Sequence, residues 1–174
     1  ETDIESEDEN INNFSNQIAQ SHTYIKTIEN KIDELIRLKT TIVSSTGEEQ
    51  KEASQALTKI VSSVQQIQSK MKAIIEDLRT NLNEEKETRP DDPEYRIKEN
   101  LFGAMIKKYQ QTCLRVQSNE SDLKGIIQTK YIRDAEIVAG KEFDEKERAL
   151  KETKLRQEIY WTKRIHFLHL LYLK

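Results

Sequence analysis

LTKIVSSVQQIQSKMKAIIEDL, residues 57–78, places Leu57, Ile60, Val64, Ile67, Met71, Ile74 and Leu78 at alternating steps of three and four. Side chains at that spacing line one face of a helix, so the stretch predicts an amphipathic helix whose apolar seam meets other helices. A second column, Val61, Ile75 and Leu82, runs beside the seam at multiples of seven. One partner helix needs only a narrow seam, whereas this wider face suits two neighbours.

The flanking sequence supplies them. Upstream, Ile11, Phe14, Ile18, Ile25, Ile28, Ile32, Leu35 and Ile42 keep one heptad register, interrupted at Ser21 and Lys39. A first helix over about 9–44 follows, roughly 50 Å long at about 1.5 Å per residue. The opening ETDIESEDEN holds six acidic residues and no basic one and is expected to be a flexible terminus to Asp8, with Ser6 and Glu9 spaced for a capping box. SSTGEEQ, residues 44–50, contains Gly47 and a Ser or Thr three positions before a Glu, which predicts a turn and a second capped helix over about 47–85.

Downstream, Pro90 disfavours helix at Arg89, and Asp92-Pro93 reads as an N-cap followed by proline at the first helical position. The third helix, about 93–139, carries Phe102, Met105, Tyr109, Thr112, Val116, Asn119, Leu123, Ile126, Lys130, Arg133 and Ile137 in register, widened by Ile106, Cys113 and Ile127. Gly140 is its expected stop. Short breaks force neighbouring helices antiparallel, so the fold class is all-α: an antiparallel three-helix up-down-up bundle, left-handed and coiled-coil-like in packing, over 9–140. Residues 141–174 begin strongly charged and end in YWTKRIHFLHLLYLK, and they read as a fourth helix or a linker extension.

Composition narrows the function. Charged residues make up 34% of the 174 and apolar ones 35%, with four Gly and two Pro, the balance of long solvated helices. A net charge of −3 gives no general field for nucleic-acid phosphates, so nucleic acid is not an expected partner. One cysteine, Cys113, forms no disulfide framework and reads as a small buried apolar residue in a reducing compartment. No secretory signal pattern is present, no run reaches the roughly 20 apolar residues of a membrane span, and a first residue of Glu suggests a piece of a longer chain.

Catalytic and metal chemistry find little support. His166 and His169 share a helix face but lack a third ligand, His22 stands alone, and no Glu-x-x-His pair suggests a di-iron bundle. A hydrolase needs a base beside its nucleophile and a sharp turn to present it, which three His and four Gly do not supply. No enzyme, metal or cofactor is expected. RIHFLHLLYLK, residues 164–174, spans only about 16 Å as a helix, too short for a bilayer. It could pack on the bundle, lie in a membrane interface with Trp161 and Tyr172 at its edges, or pair two chains.

NNFSNQIAQSHTYIKTIENKIDELIRLKTTIV, with Phe14, Ile at heptad spacing and the step Leu35, Leu38, Lys39, resembles the first helix of the syntaxin amino-terminal regulatory domain, the Habc bundle. The turn TGEEQKEASQAL, the second helix ending near EDLRTNLNEE, and the third helix with Arg96-Ile97, Tyr109, Val116, Leu123 and KYIRDAEIVAGK follow the same order, most similar to plasma-membrane-type syntaxins. The likeness covers about residues 8–140. ETDIESEDEN does not carry the short Asp-Arg-Thr-like peptide that Sec/Munc-type syntaxin-binding proteins grip in many members. The SNARE heptads with their central Gln, and a membrane anchor, are not among these residues.

The resemblance implies a t-SNARE regulatory domain at the cytosolic face of a plasma, secretory or endosomal membrane, acting in vesicle fusion and exocytosis. Its implied partners are the SNARE helix of the same parent chain, a Sec/Munc-type syntaxin-binding protein, and other SNAREs through the parent chain. In that family the second and third helices form a groove for the SNARE helix. The corresponding residues here are Val61, Gln68, Ile75 and Leu82 on the second helix with Ile106, Cys113, Glu120 and Ile127 on the third. Polar seam residues Lys39, Thr112, Asn119, Lys130 and Arg133 either snorkel to solvent or keep that groove less apolar than a permanent core. Two rivals share the periodicity: a spectrin-like structural module, which recurs in tandem, and a BAR-like membrane-bending dimer, which needs a concave basic face and an apolar dimer seam.

Overall fold

The computed structural model describes the backbone of residues 2–161 and the side chains of residues 12–154. Four helices follow in order: α1 (Thr2–Ser44), α2 (Gly47–Thr88), α3 (Pro93–Ala139) and α4 (Glu145–Trp161), with no strand among the described residues. α1 begins at Thr2 rather than after Asp8.

The breaks between helices follow from backbone chemistry. Gly47 takes a left-handed φ of 62°, a conformation costly for residues with a Cβ. The turn rests on this glycine and not on a Ser/Thr capping box: Ser45 still donates its N–H to Thr41 at 2.8 Å as the last residue tied to α1, and its hydroxyl finds no partner. Asp92 does cap α3, its carboxylate accepting the Glu94 N–H at 2.9 Å with Pro93 at the first helical position. α3 ends in a left-handed Gly140 (φ 64°), whose N–H donates to Ile137 at 3.2 Å while Lys141 donates to Glu136 at 3.3 Å. That pair of bonds is the Schellman closure.

The contacts divide into two units, each drawing on all three long helices. Unit 1 comprises Glu1–Lys31 and Val64–Arg115; unit 2 comprises Ile32–Ser63 and Val116–Lys174. In unit 1, Phe14, Ile18, Ile25 and Ile28 of α1 are buried with Val64, Ile67, Met71 and Leu78 of α2 and Met105 and Tyr109 of α3. Each such side chain contributes about 1.5–3 kcal/mol by leaving water. α2 and α3 run antiparallel, since Glu85 meets Lys98 and Gln68 meets Cys113. Gln17 of α1 donates to Asp77 of α2.

Unit 2 has a smaller apolar centre. Leu35, Ile42, Ala53 and Leu123 are buried together, and Leu38, Leu57, Ile60 and Ile127 pack on them partly buried. Here α1 and α3 run parallel: Lys39 donates to Asn119 at 2.8 Å, and further along both helices Lys130 donates to the Ser45 carbonyl at 3.0 Å.

A tight elbow joins α3 to α4. One oxygen of Glu136 accepts the Phe143 N–H at 3.0 Å and the Arg148 guanidinium at 2.8 and 3.1 Å. Asp144 and Glu147 exchange bonds, the Glu147 N–H donating to Asp144 at 2.8 Å and the Asp144 N–H to Glu147 at 3.2 Å, a capping box that starts α4. For residues 145–161 the open choice between linker and helix is thus answered as helix. His166, His169, Tyr172 and the RIHFLHLLYLK run lie outside the described residues.

Candidate interaction face

The register of α1 maps closely onto its burial. Every position described from Phe14 to Ile42 is buried except Lys39, which is half-buried, and even Ser21 is fully enclosed. Up to Lys130 the α3 register is buried except at Phe102, Asn119 and Ile126, which are half-buried, and it then turns outward: Arg133 is exposed, and Ile137 and Val138 are 70% and 89% accessible. Near its end the seam position is held by heptad arithmetic alone, with no packing to use it.

Of the polar seam residues, Lys39, Asn119, Lys130 and Arg133 make cross-helix ties. Lys39 bonds Asn119 and pairs with Asp122 at 3.4 Å. Lys130, only 5% accessible, binds the Ser45 carbonyl and pairs with Asp134 at 3.2 Å, while Arg133 donates to the Val43 carbonyl at 3.2 Å. The last carbonyls of a helix have no partner within it and carry the negative end of its dipole, so two cations from α3 satisfy the end of α1. Thr112 is 1% accessible and returns its hydroxyl to the Lys108 carbonyl at 3.1 Å.

The eight residues of the expected groove separate by burial. In unit 1, Gln68, Leu82 and Cys113 are buried in the core, while Ile75 and Ile106 are half-buried at its edge. In unit 2, Val61, Glu120 and Ile127 are all half-buried. The Gln68 amide donates to the Cys113 sulfur at 3.9 Å, and its buried carbonyl oxygen has no partner. Sequence reasoning missed Leu57 and Ile60 as edge residues, because a seam position reads the same whether it is sealed or half-open.

Glu120 stands apart in chemistry. Burial pushes its carboxyl up to about 7, against a lowering pull from Lys124 one turn away. It makes no hydrogen bond or ion pair among the described residues. Glu136, sixteen positions later, is held below its ordinary value, first by the Phe143 N–H and then by Arg148, against the upward push of burial. In unit 1 a cleft of about 280 Å³ lies beside the α2–α3 turn, lined by Glu85, Arg89, Asp92, Tyr95 and Lys98 among others. Burial lowers the Lys98 ammonium, but Glu85 at 2.7 Å and Glu94 at 2.8 Å outweigh it and raise the net value, so the cleft's buried cation is already engaged.

No group of His, Cys, Asp and Glu among the described residues could hold a metal, and no described helix is long and apolar enough to cross a membrane. What the surface offers is helix faces with half-buried apolar edges, which suits protein partners. Comparison with known families matches residues 8–149 to Syntaxin, and the chain belongs to that family. It is therefore a member of a non-enzymatic SNARE family with a role in vesicle trafficking and membrane fusion and with SNARE-type protein partners. The match favours neither the spectrin-like nor the BAR-like reading. A search of curated proteins returned no match.

Proposed function

We propose that the chain is the regulatory bundle of a syntaxin-type t-SNARE at the cytosolic face of a plasma, secretory or endosomal membrane, and that its α2–α3 side receives the SNARE helix of the parent protein. One observation carries the reading. In unit 2 α1 and α3 are tied by Lys39, Lys130 and Arg133, whereas Leu57, Ile60 and Val61 of α2 and Ile127 of α3 stay only partly covered. A helix laid there would bury their remaining apolar surface, at about 25 cal/mol per Å². By holding the SNARE helix the bundle would withhold it from other SNAREs, and a Sec/Munc-type binding protein would shift that equilibrium by preferring one of the two states.

Titration with an isolated syntaxin SNARE helix tests this. Binding should move the amide resonances around residues 57–61 and 120–127, and the double substitution Val61→Glu, Ile127→Glu should abolish it. Leu114→Glu, at an exposed position of unit 1, should leave it intact. Loss of binding with Leu114→Glu alone, or no effect of the double substitution, would place the site elsewhere.

A further inference from the structure

Among the described residues of unit 2, the partly buried charges are, with one exception, partnered. Lys39 has Asn119 and Asp122, Lys130 has Ser45 and Asp134, Glu136 has Phe143 and Arg148, and Lys151 sits 5.7 Å over the Phe143 ring. Glu120 is the exception. It occupies the α3 column one heptad before Ile127, so both side chains lie on the helical face with which Ile127, like Leu57 and Ile60 of α2, packs partly buried on the unit 2 core. The carboxylate is therefore set at the edge of the half-covered apolar strip. Lys124 lies one turn away, exposed and beyond ion-pair distance.

A helix covering this strip would strip Glu120 of its remaining water. Under an apolar cover the carboxyl must take up a proton and stay without a hydrogen-bond partner, which is unfavourable; a cation placed opposite keeps it ionised and supplies a charge-assisted hydrogen bond in a medium where it counts for more than in water. The already raised carboxyl value, about 7, shows how far desolvation has gone before anything docks. We propose that Glu120 is a specificity-determining acceptor on the α2–α3 side of unit 2, selecting a docking helix that carries a Lys or Arg in the middle of its apolar stripe. The inference rests on the docking reading above and adds to it the chemistry of the occupant. Because such a helix presents its cation among apolar residues, the same acceptor rejects helices with an acidic residue at that place, which is discrimination by repulsion as well as by attraction.

The test uses the full chain and three synthetic amphipathic peptides of three heptads, with Leu at the a and d positions, differing only in a central Lys, Leu or Glu. Calorimetry at neutral pH and low salt should show the Lys peptide binding about tenfold more tightly than the Glu peptide. Glu120→Gln should cut that preference to about threefold or less, and Glu120→Lys should reverse it. Equal binding of all three peptides, or a Lys preference that survives Glu120→Gln unchanged, overturns the role of Glu120 and leaves the docking side standing. Failure of all three peptides to bind, with a SNARE helix also failing, removes the docking side itself.

Discussion

Unit 1 and unit 2 are built from the same three helices, yet they are held together differently. Unit 1 fills its interior with Phe14, Ile18, Ile25, Ile28, Met71, Leu78 and Met105 and confines its buried cation, Lys98, to a two-carboxylate clasp near the α2–α3 turn. Unit 2 gathers a smaller cluster around Leu35, Ile42, Ala53 and Leu123 and leans on Lys39, Lys130 and Arg133 for its α1–α3 contact. Apolar filling closes a bundle on every side at once, because dispersion and water exclusion have no direction. Directed bonds close only the side they point to. Unit 2 can therefore be firm between α1 and α3 and still present a half-covered edge between α2 and α3.

That contrast can be broken by substitution. Met71→Ala, at a fully enclosed position of unit 1, should cost about 3–5 kcal/mol in urea unfolding, whereas Leu123→Ala in unit 2 should cost less, about 2–3 kcal/mol, because its cluster is edged by partly buried side chains that can collapse on the gap. Equal losses would mean that the two interiors are packed alike. Lys130→Met keeps most of the length of the side chain but takes the buried ammonium from the Ser45 carbonyl and leaves Asp134 only its longer pairing with Arg133 at 3.9 Å. A loss of about 2 kcal/mol is expected, and a neutral result would mean that Lys130 only fills space.

Much of this architecture was legible in the sequence. The α1 register from Phe14 to Ile42 and the α2 stripe located the core, Asp92-Pro93 located the start of α3, and Gly140 its end, because heptad spacing, an N-cap and a left-handed glycine each act locally. The ties Lys130 to Ser45 and Arg133 to Val43 were not legible, since they span 85 and 90 residues and no local pattern announces that a lysine will meet the end of another helix. The groove residues were half legible for the same reason. Heptad columns put Gln68, Leu82 and Cys113 beside Val61, Glu120 and Ile127 on paper, but only packing decides which are sealed in the core and which stay at its edge.

A smaller effect sharpens the comparison through pH. The folded carboxyl of Glu120 holds its proton more tightly than the ordinary value of 4.5, so the native state binds more protons than the unfolded one between about 4.5 and about 7. Stability is then fully present below that window and is lost as pH rises through it. Partial exposure screens the effect to about 1–2 kcal/mol. Melting from about pH 5 to about pH 7.5 should show this loss in the natural chain and not in Glu120→Gln; parallel curves would mean that Glu120 titrates as an ordinary surface carboxylate.

The smallest effect is expected at the elbow, and it is the one that separates local order from the stability of unit 2. Glu136 has the opposite sign to Glu120: its folded value is lowered, so its contribution is present above the ordinary carboxylate range and is lost as pH falls through the lowered value. Glu136→Gln keeps a carbonyl that can accept the Phe143 N–H but removes the ionic partner of Arg148. The elbow bonds fix how α4 leaves α3, and α4 itself is mostly exposed where its side chains are described, so the loss should stay local. Amide exchange over 145–154 should quicken roughly three- to tenfold while the urea midpoint stays where it was. A midpoint that falls as far as it does in Lys130→Met would show instead that the elbow is part of what holds unit 2 together, and that α4 is a structural member of it.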